Sequence, residues 1–106
     1  MAEEQVGAVF AALADPTRRQ VVQSLAGGST ITASRLAQEL PITRQAVAKH
    51  LAALDHAGLV AAERRGRETH YRLTPEPLTE AATWMAAVGA QWDDRLDALR
   101  SHLTRG

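Results

Sequence analysis

Two short helical segments near the middle of the chain constrain its fold more than any other feature. Thr32 can cap a helix over residues 33–39, and Thr43 can cap a second helix over residues 44–57. The Leu40-Pro41-Ile42 stretch separates them, because the residue before a proline avoids helical geometry. Two short helices joined by a tight turn, with the second one longer, are typical of a helix-turn-helix.

The second helix of this pair has a polar outer face built partly from small side chains. Its apolar stripe turns inward and consists of Val47, Leu51 and Leu54. The side chains that point outward are Gln45, Ala48, Lys49 and Ala52, with Arg44 beside them. Small side chains let a helix enter the major groove of DNA, arginine and glutamine can pair with base edges, and lysine can meet a phosphate. This face predicts a recognition helix, with His50 at its edge as an auxiliary phosphate contact at most.

Residues 59–73 predict a β-hairpin directly after that helix. Thr69, Tyr71 and Leu73 alternate onto one face, and a glycine-containing tip divides the two strands. The tip, Arg64-Arg65-Gly66-Arg67, brings three guanidinium groups together within four residues. This tip is either a solvated turn without a partner or a contact to the DNA backbone or minor groove. Three like charges at one tip repel one another, so we favour a basic wing whose contacts are Arg64, Arg65 and Arg67.

Three further helices complete a mainly helical chain of five helices. The first covers residues 3–14, and the second starts at Pro16 after an Asp15 cap. Arg18 and Arg19 lie in the first turn of this second helix, where the helix dipole disfavours cations. Three roles stay open for these side chains: an ion pair, a phosphate contact or simple solvation.

The last helix, over residues 78–103, has the longest apolar stripe of the chain. Its members follow steps of three and four and are Leu78, Ala82, Met85, Gly89, Trp92, Leu96, Leu99 and Leu103. A chain of 106 residues is long enough for one domain, residues 1–106, and too short for two. One such domain cannot cover the whole stripe, which indicates a partner.

Charge and composition restrict the class of protein. The net charge is zero, but residues 17–72 hold nine basic and four acidic side chains. On charge alone, this excess is either a basic surface that faces a partner or solvated charge without one. Cysteine is absent, which excludes disulfides and thiolate metal sites. The acidic N-terminus lacks a secretory signal, and no apolar run approaches the ~20 residues of a membrane span. We therefore expect a cytoplasmic protein with no membrane contact.

An enzyme and a protein-binding adaptor are the competing classes. The sequence has no glycine-rich phosphate loop, nucleophile elbow or metal-ligand signature, and its four histidines are scattered singly, at His50, His56, His70 and His102. We therefore expect no catalytic site. A winged helix that binds only protein would not need Arg44, Gln45, Lys49 and the arginines of the wing.

Four stretches together resemble the ArsR family of bacterial repressors. They are A-L-A-D-P-T-R-R at 12–19, L-A-Q-E-L-P-I-T-R-Q-A-V-A-K-H-L-A-A-L at 36–54, A-G-L-V at 57–60 and R-R-G-R-E-T-H-Y-R-L at 64–73. The resemblance spans nearly the whole chain, and Pro41 stands where many members have glycine. It implies a winged helix-turn-helix homodimer that binds a palindromic operator in double-stranded DNA and often represses its own operon.

The resemblance also implies which residues act. Base-reading positions of the family fall on Arg44, Gln45 and Lys49, and phosphate-contacting positions fall on Thr43 and Ser34. The first and last helices would form the dimer, which assigns to its interface Val6, Phe10, Leu13, Met85, Trp92, Leu96 and Leu99.

Some members of the family sense metals through cysteines of the recognition helix or through acids and histidines of the last helix. The first set is impossible here without cysteine, and for the second set His102 lies five residues beyond Asp97, a poor spacing for ligands. We expect no metal and no cofactor, although a metal-responsive repressor that uses the last helix is the alternative. The tail at 84–99 is similar to members whose inducer is unknown, so an unidentified inducer is compatible with this chain.

Overall fold

The chain forms five α-helices and a three-stranded antiparallel sheet in a computed structural model, which describes residues 3–105. The helices are α1 (Glu3–Leu13), α2 (Pro16–Leu25), α3 (Ala33–Glu39), α4 (Arg44–His56) and α5 (Glu76–Arg105). The strands are β1 (Ile31–Thr32), β2 (Val60–Arg65) and β3 (Glu68–Leu73), in the spatial order β1-β3-β2. The predicted fold class, mainly helical with five helices and a hairpin wing, is confirmed.

The threonine caps fix the two helices of the helix-turn-helix. The Oγ1 atom of Thr32 accepts a hydrogen bond from the backbone N–H of Arg35 at 3.2 Å, and that of Thr43 accepts one from Ala46 at 3.1 Å. Leu40 is extended, with φ −113° and ψ 147°, as expected before a proline. These local interactions set where α3 and α4 begin and where α3 ends.

A contiguous apolar core holds α4 in place. Its stripe residues Val47, Leu51 and Leu54 are all fully buried and pack with buried side chains of the neighbouring elements. Those neighbours are Val9, Ala12, Val21, Leu25, Leu36, Ala57, Leu59, Val60 and Ala81. With one face of α4 fixed inward, its opposite face must point to solvent.

The start of α2 is tied to the end of α1. The Asp15 side chain accepts hydrogen bonds from the backbone N–H groups of Thr17 and Arg18, and the bond from Arg18 does most to hold the pKa of this carboxyl below its usual value. The Arg18 Nε atom donates to the carbonyl of Ala12 at 2.8 Å, and Arg19 Nη1 donates to that of Leu13 at 2.6 Å. These arginines therefore satisfy carbonyls at the C-terminus of α1, where the helix dipole favours cations.

The hairpin is the wing of the fold, and β3 is its central strand. Strand β2 pairs with β3 from Val60↔Leu73 to Arg65↔Glu68, and β1 adds Ile31↔Tyr71. Gly66 has φ +62° in the two-residue turn, the conformation that the first position of a type II′ turn requires. The sequence predicts an extended piece at residues 30–31. Strand β1 instead consists of Ile31 and Thr32, and its pairing with β3 defines it.

Helix α5 projects from the rest of the molecule. It packs against α1, and Ala81 rather than Ala82 is the alanine it buries. The molecule measures 70 × 28 × 22 Å and its radius of gyration is 18.8 Å, whereas a compact chain of this length would have about 13 Å. The helix starts two residues before its expected start because Pro77 is tolerated in a first turn. Within residues 3–105, no helix is both long and apolar enough to cross a membrane.

Candidate nucleic-acid interface

The outward face of α4 carries the side chains that the sequence assigns to base contact. Gln45 and Lys49 are exposed, and the small side chains of Ala48 and Ala52 lie beside them on the same face. Thr43, Arg44, Gln45 and Ala48 also line one shallow, open depression at the N-terminal end of the helix. This end of α4 therefore presents hydrogen-bonding side chains around a surface of small residues.

A cleft of about 310 Å³ separates α4 from the hairpin. It brings together four residues that the sequence assigns to DNA contact: Ser34 of α3, Arg44 of α4, Arg64 of β2 and Arg67 of the turn. Its other lining residues are Thr32, Ala33, Ala48, Glu68, Thr69 and Tyr71. The cleft thus carries three guanidinium groups and several hydroxyls.

The three arginines of the wing do not point the same way. Successive residues of a strand face opposite sides of the sheet, so Arg64 shares a face with its partner Thr69 and lines the cleft. Arg65 takes the other face, where its Nη2 atom lies 3.1 Å from Glu63 Oε2 and its Nη1 atom donates to Thr30 Oγ1 at 3.5 Å. A DNA contact of Arg65 stays a prediction, and in the free protein its guanidinium is paired with Glu63.

His50 lies apart from the outward face of α4. It is half-buried, and at 100° per residue it sits about 140° around the helix from Gln45. A phosphate contact of His50 stays a prediction, and its side chain is partly covered by its own chain.

Sequence reasoning missed Thr69, Tyr71 and Glu68 as lining residues of the cleft. The signal for the first two was present, since alternation in β3 places Thr69 and Tyr71 on one face. What was missing was the pairing register, which shows that this face is also the face of Arg64. Glu68 was not singled out because an acidic side chain is unexpected on a surface that binds DNA.

The apolar stripe of α5 is largely uncovered. Met85, Leu96 and Leu99 are exposed, and Trp92 is 60% exposed. Phe10 of α1 is also exposed and meets Trp84, which the sequence stripe omitted, in an edge-to-face contact with 5.7 Å between ring centroids. Leu13 packs against the core of its own chain.

Val6, one of the expected interface residues, is already buried within its own chain. The helical stripe of α1 assigns it to a contact with a second copy, but Val6 is only 5% exposed within one chain. Its side chain is already buried intramolecularly, so it has little surface left for a partner. Trp84, which is 45% exposed, is a better candidate.

The arrangement of α3, α4 and the hairpin defines a winged helix-turn-helix protein. Its similarity to known proteins identifies the family. A helix-turn-helix domain model matches residues 13–62. The transcriptional repressor SdpR of Bacillus subtilis is 34% identical over 77 residues, which cover 73% of this chain and 84% of SdpR. An ArsR-like transcriptional regulator from Rhodococcus sp. RHA1 is 42% identical, with 92% of each chain covered and a TM-score of 0.81.

A third similar protein has a known assembly. It is the homodimeric winged helix-turn-helix DNA-binding domain of a possible ArsR-family regulator from Mycobacterium bovis, 30% identical, with 88% of this chain and 82% of that one covered and a TM-score of 0.65. The chain belongs to the ArsR family of transcriptional regulators. It is a DNA-binding regulator of transcription rather than an enzyme, as the sequence indicates.

Proposed function

We propose that this regulator is a cytoplasmic homodimer that represses transcription by binding a palindromic operator through the major groove. Residues 1–106 would form one winged helix-turn-helix domain, with α4 as recognition helix, the hairpin as wing, and α1 and α5 as dimerisation helices. The observation that carries the proposal is the outward face of α4, where exposed Gln45 and Lys49 flank small alanines next to a cleft with three arginines.

Direct base contact is assigned to the start of α4. Gln45 can make two hydrogen bonds to an adenine, and small residues beside it let the helix backbone approach the base edges. Lys49, one turn further on, meets the phosphate backbone or a base. Ser34 and Thr43 contact phosphates near the starts of α3 and α4.

Dimerisation is assigned to α5 with support from α1. Four apolar side chains of α5, at Met85, Trp92, Leu96 and Leu99, are exposed on one chain although they recur in the periodic stripe of the helix. Contiguous apolar surface of this kind marks an interaction site. A second copy is the partner that the homodimeric Mycobacterium bovis domain favours.

Symmetry of the operator tests the proposal. A two-fold dimer presents two recognition helices, so its site contains two inverted half-sites about one helical turn apart, roughly 10–10.5 base pairs. Duplexes enriched from random sequence by the wild-type protein should show this inverted repeat. Changing one half-site should weaken binding about 100-fold, since each mismatched base pair costs ~1–3 kcal/mol. Enrichment of a site without an inverted repeat, in which either half can be changed without loss of affinity, would contradict the proposed dimer.

Operator binding should not depend on a metal ion. Asp97 pairs with Arg100 at 3.7 Å, and His102 lies about 140° around α5 from Asp97 at 100° per residue, on a different face. We expect zinc, cadmium, arsenite or a strong chelator to change operator affinity by less than about threefold, well below a typical allosteric coupling. Fluorescence anisotropy with each additive measures this. A tenfold change that His102→Ala removes would show that α5 binds the metal.

A further inference from the structure

We propose that Arg44 and Arg64 hold one and the same phosphate of the DNA backbone in the cleft between α4 and the hairpin, and that Arg65 holds none. This inference rests on the proposed DNA-binding function and assigns a role within that surface. It gives Arg44 a contact different from the base contact that its place at the start of α4 suggests.

The two arginines come from different elements and meet at one cavity. Arg44 is the first residue of α4 and Arg64 is the fifth residue of β2, and both line the cleft of about 310 Å³. Ser34, Thr69 and Tyr71 line the same cleft and add hydroxyl donors. Paired guanidinium groups with hydroxyls between them match the charge and the acceptor oxygens of a phosphodiester.

Arg64 is held in place before any ligand binds. Its Nε atom donates to the carbonyl of Gly66 at 3.0 Å, and its Nη1 atom donates to Thr69 Oγ1 at 3.5 Å. A guanidinium has five N–H donors, so these two bonds leave others for a phosphate. A side chain that is already ordered loses less entropy when it binds.

Arg65 is occupied on the opposite face of the hairpin. Its bonds to Glu63 and Thr30 connect β2 to the segment before β1. The Glu63 carboxylate offsets part of the charge of Arg65, and within residues 3–105 Arg64 has no carboxylate partner of this kind, so Arg64 is the better phosphate ligand of the two.

Removal of single phosphate charges tests the shared contact. The probe is a duplex enriched by the wild-type protein from random sequence, in which a neutral methylphosphonate replaces one phosphate at a time. At one position in each half-site, the replacement should weaken wild-type binding about tenfold, the effect of one charge-assisted hydrogen bond. At that same position it should weaken Arg44→Ala and Arg64→Ala only about threefold each, because each variant keeps one of the two arginines, and it should weaken the double variant less than about twofold.

Arg65→Ala is the matched control, since it removes an adjacent arginine of the same strand. It should stay as sensitive as the wild type at that position, and circular dichroism should show that all variants keep the native helix content. If both single variants stay as sensitive as the wild type at every position, if the double variant keeps the tenfold effect, or if Arg65→Ala loses sensitivity, the shared contact is wrong. If the wild type enriches no duplex at all, DNA binding itself fails, which is a separate and recognisable outcome.

Discussion

Leu96→Asp should convert the protein from a dimer to a monomer and abolish operator binding. Leu96 lies in the exposed stripe of α5, and the core of the single chain does not include it. In the proposed dimer the substitution would bury a carboxylate in each of two symmetric positions, at a cost of about 3 kcal/mol or more. Dimerisation should therefore weaken more than about 100-fold. Sedimentation velocity measures the assembly, and anisotropy measures operator affinity.

Ser101→Asp is the control for this experiment. Ser101 is exposed on α5, about 160–200° around the helix from the apolar stripe residues Leu99 and Leu103. The variant introduces the same charge in the same helix but should leave the dimer and operator binding unchanged within about twofold, since exposed substitutions away from contacts change little. A Leu96→Asp protein that stays dimeric and binds the operator normally would show that α5 does not form the interface.

Gln45→Ala should reduce the specificity of binding rather than binding as a whole. Gln45 sits on the outward face of α4 at the end that would enter the major groove, so its loss should cost roughly 1–3 kcal/mol on the operator and little on scrambled DNA. Removing Arg64 and Arg67 together should instead weaken both duplexes and flatten the salt dependence by about one unit of slope for each phosphate contact that disappears. Salt titrations of each variant on both duplexes separate the two effects.

Gln23→Ala provides the matched comparison for Gln45. Gln23 is an exposed glutamine on α2, away from the cleft and from the outward face of α4. Its replacement should change affinity for neither duplex. If the Gln45 variant loses affinity for both duplexes equally while the double arginine variant loses only operator binding, the two assigned roles are reversed.

The elements that position the site could be predicted from the sequence because local signals agree with the tertiary packing. Thr32 and Thr43 cap their helices through their own hydroxyls, and Pro41 ends the first of them. The stripe Val47, Leu51 and Leu54 is buried as its spacing indicates. Orientation of the outward face of α4 followed from that stripe alone.

Features that depend on contacts between distant residues could not be predicted. The opposite orientations of Arg64 and Arg65 require the pairing register of β2 with β3, and the pairing of Arg65 requires Thr30 to lie nearby. The bonds of Arg18 and Arg19 to the end of α1 depend on the turn between α1 and α2. A helical stripe likewise cannot distinguish Val6, buried in its own chain, from Phe10, which is exposed.

Sequence-specific binding of DNA through α4 and the wing is tested most directly by a ratio of two affinities. One affinity is for the enriched duplex, and the other is for a scrambled duplex of equal length. At physiological salt the wild-type protein should bind the enriched duplex at least about 1,000-fold more tightly than the scrambled one, the lower limit for specific DNA-binding proteins. A ratio below about tenfold at the same salt concentration would mean that the basic surface attracts DNA without reading its sequence.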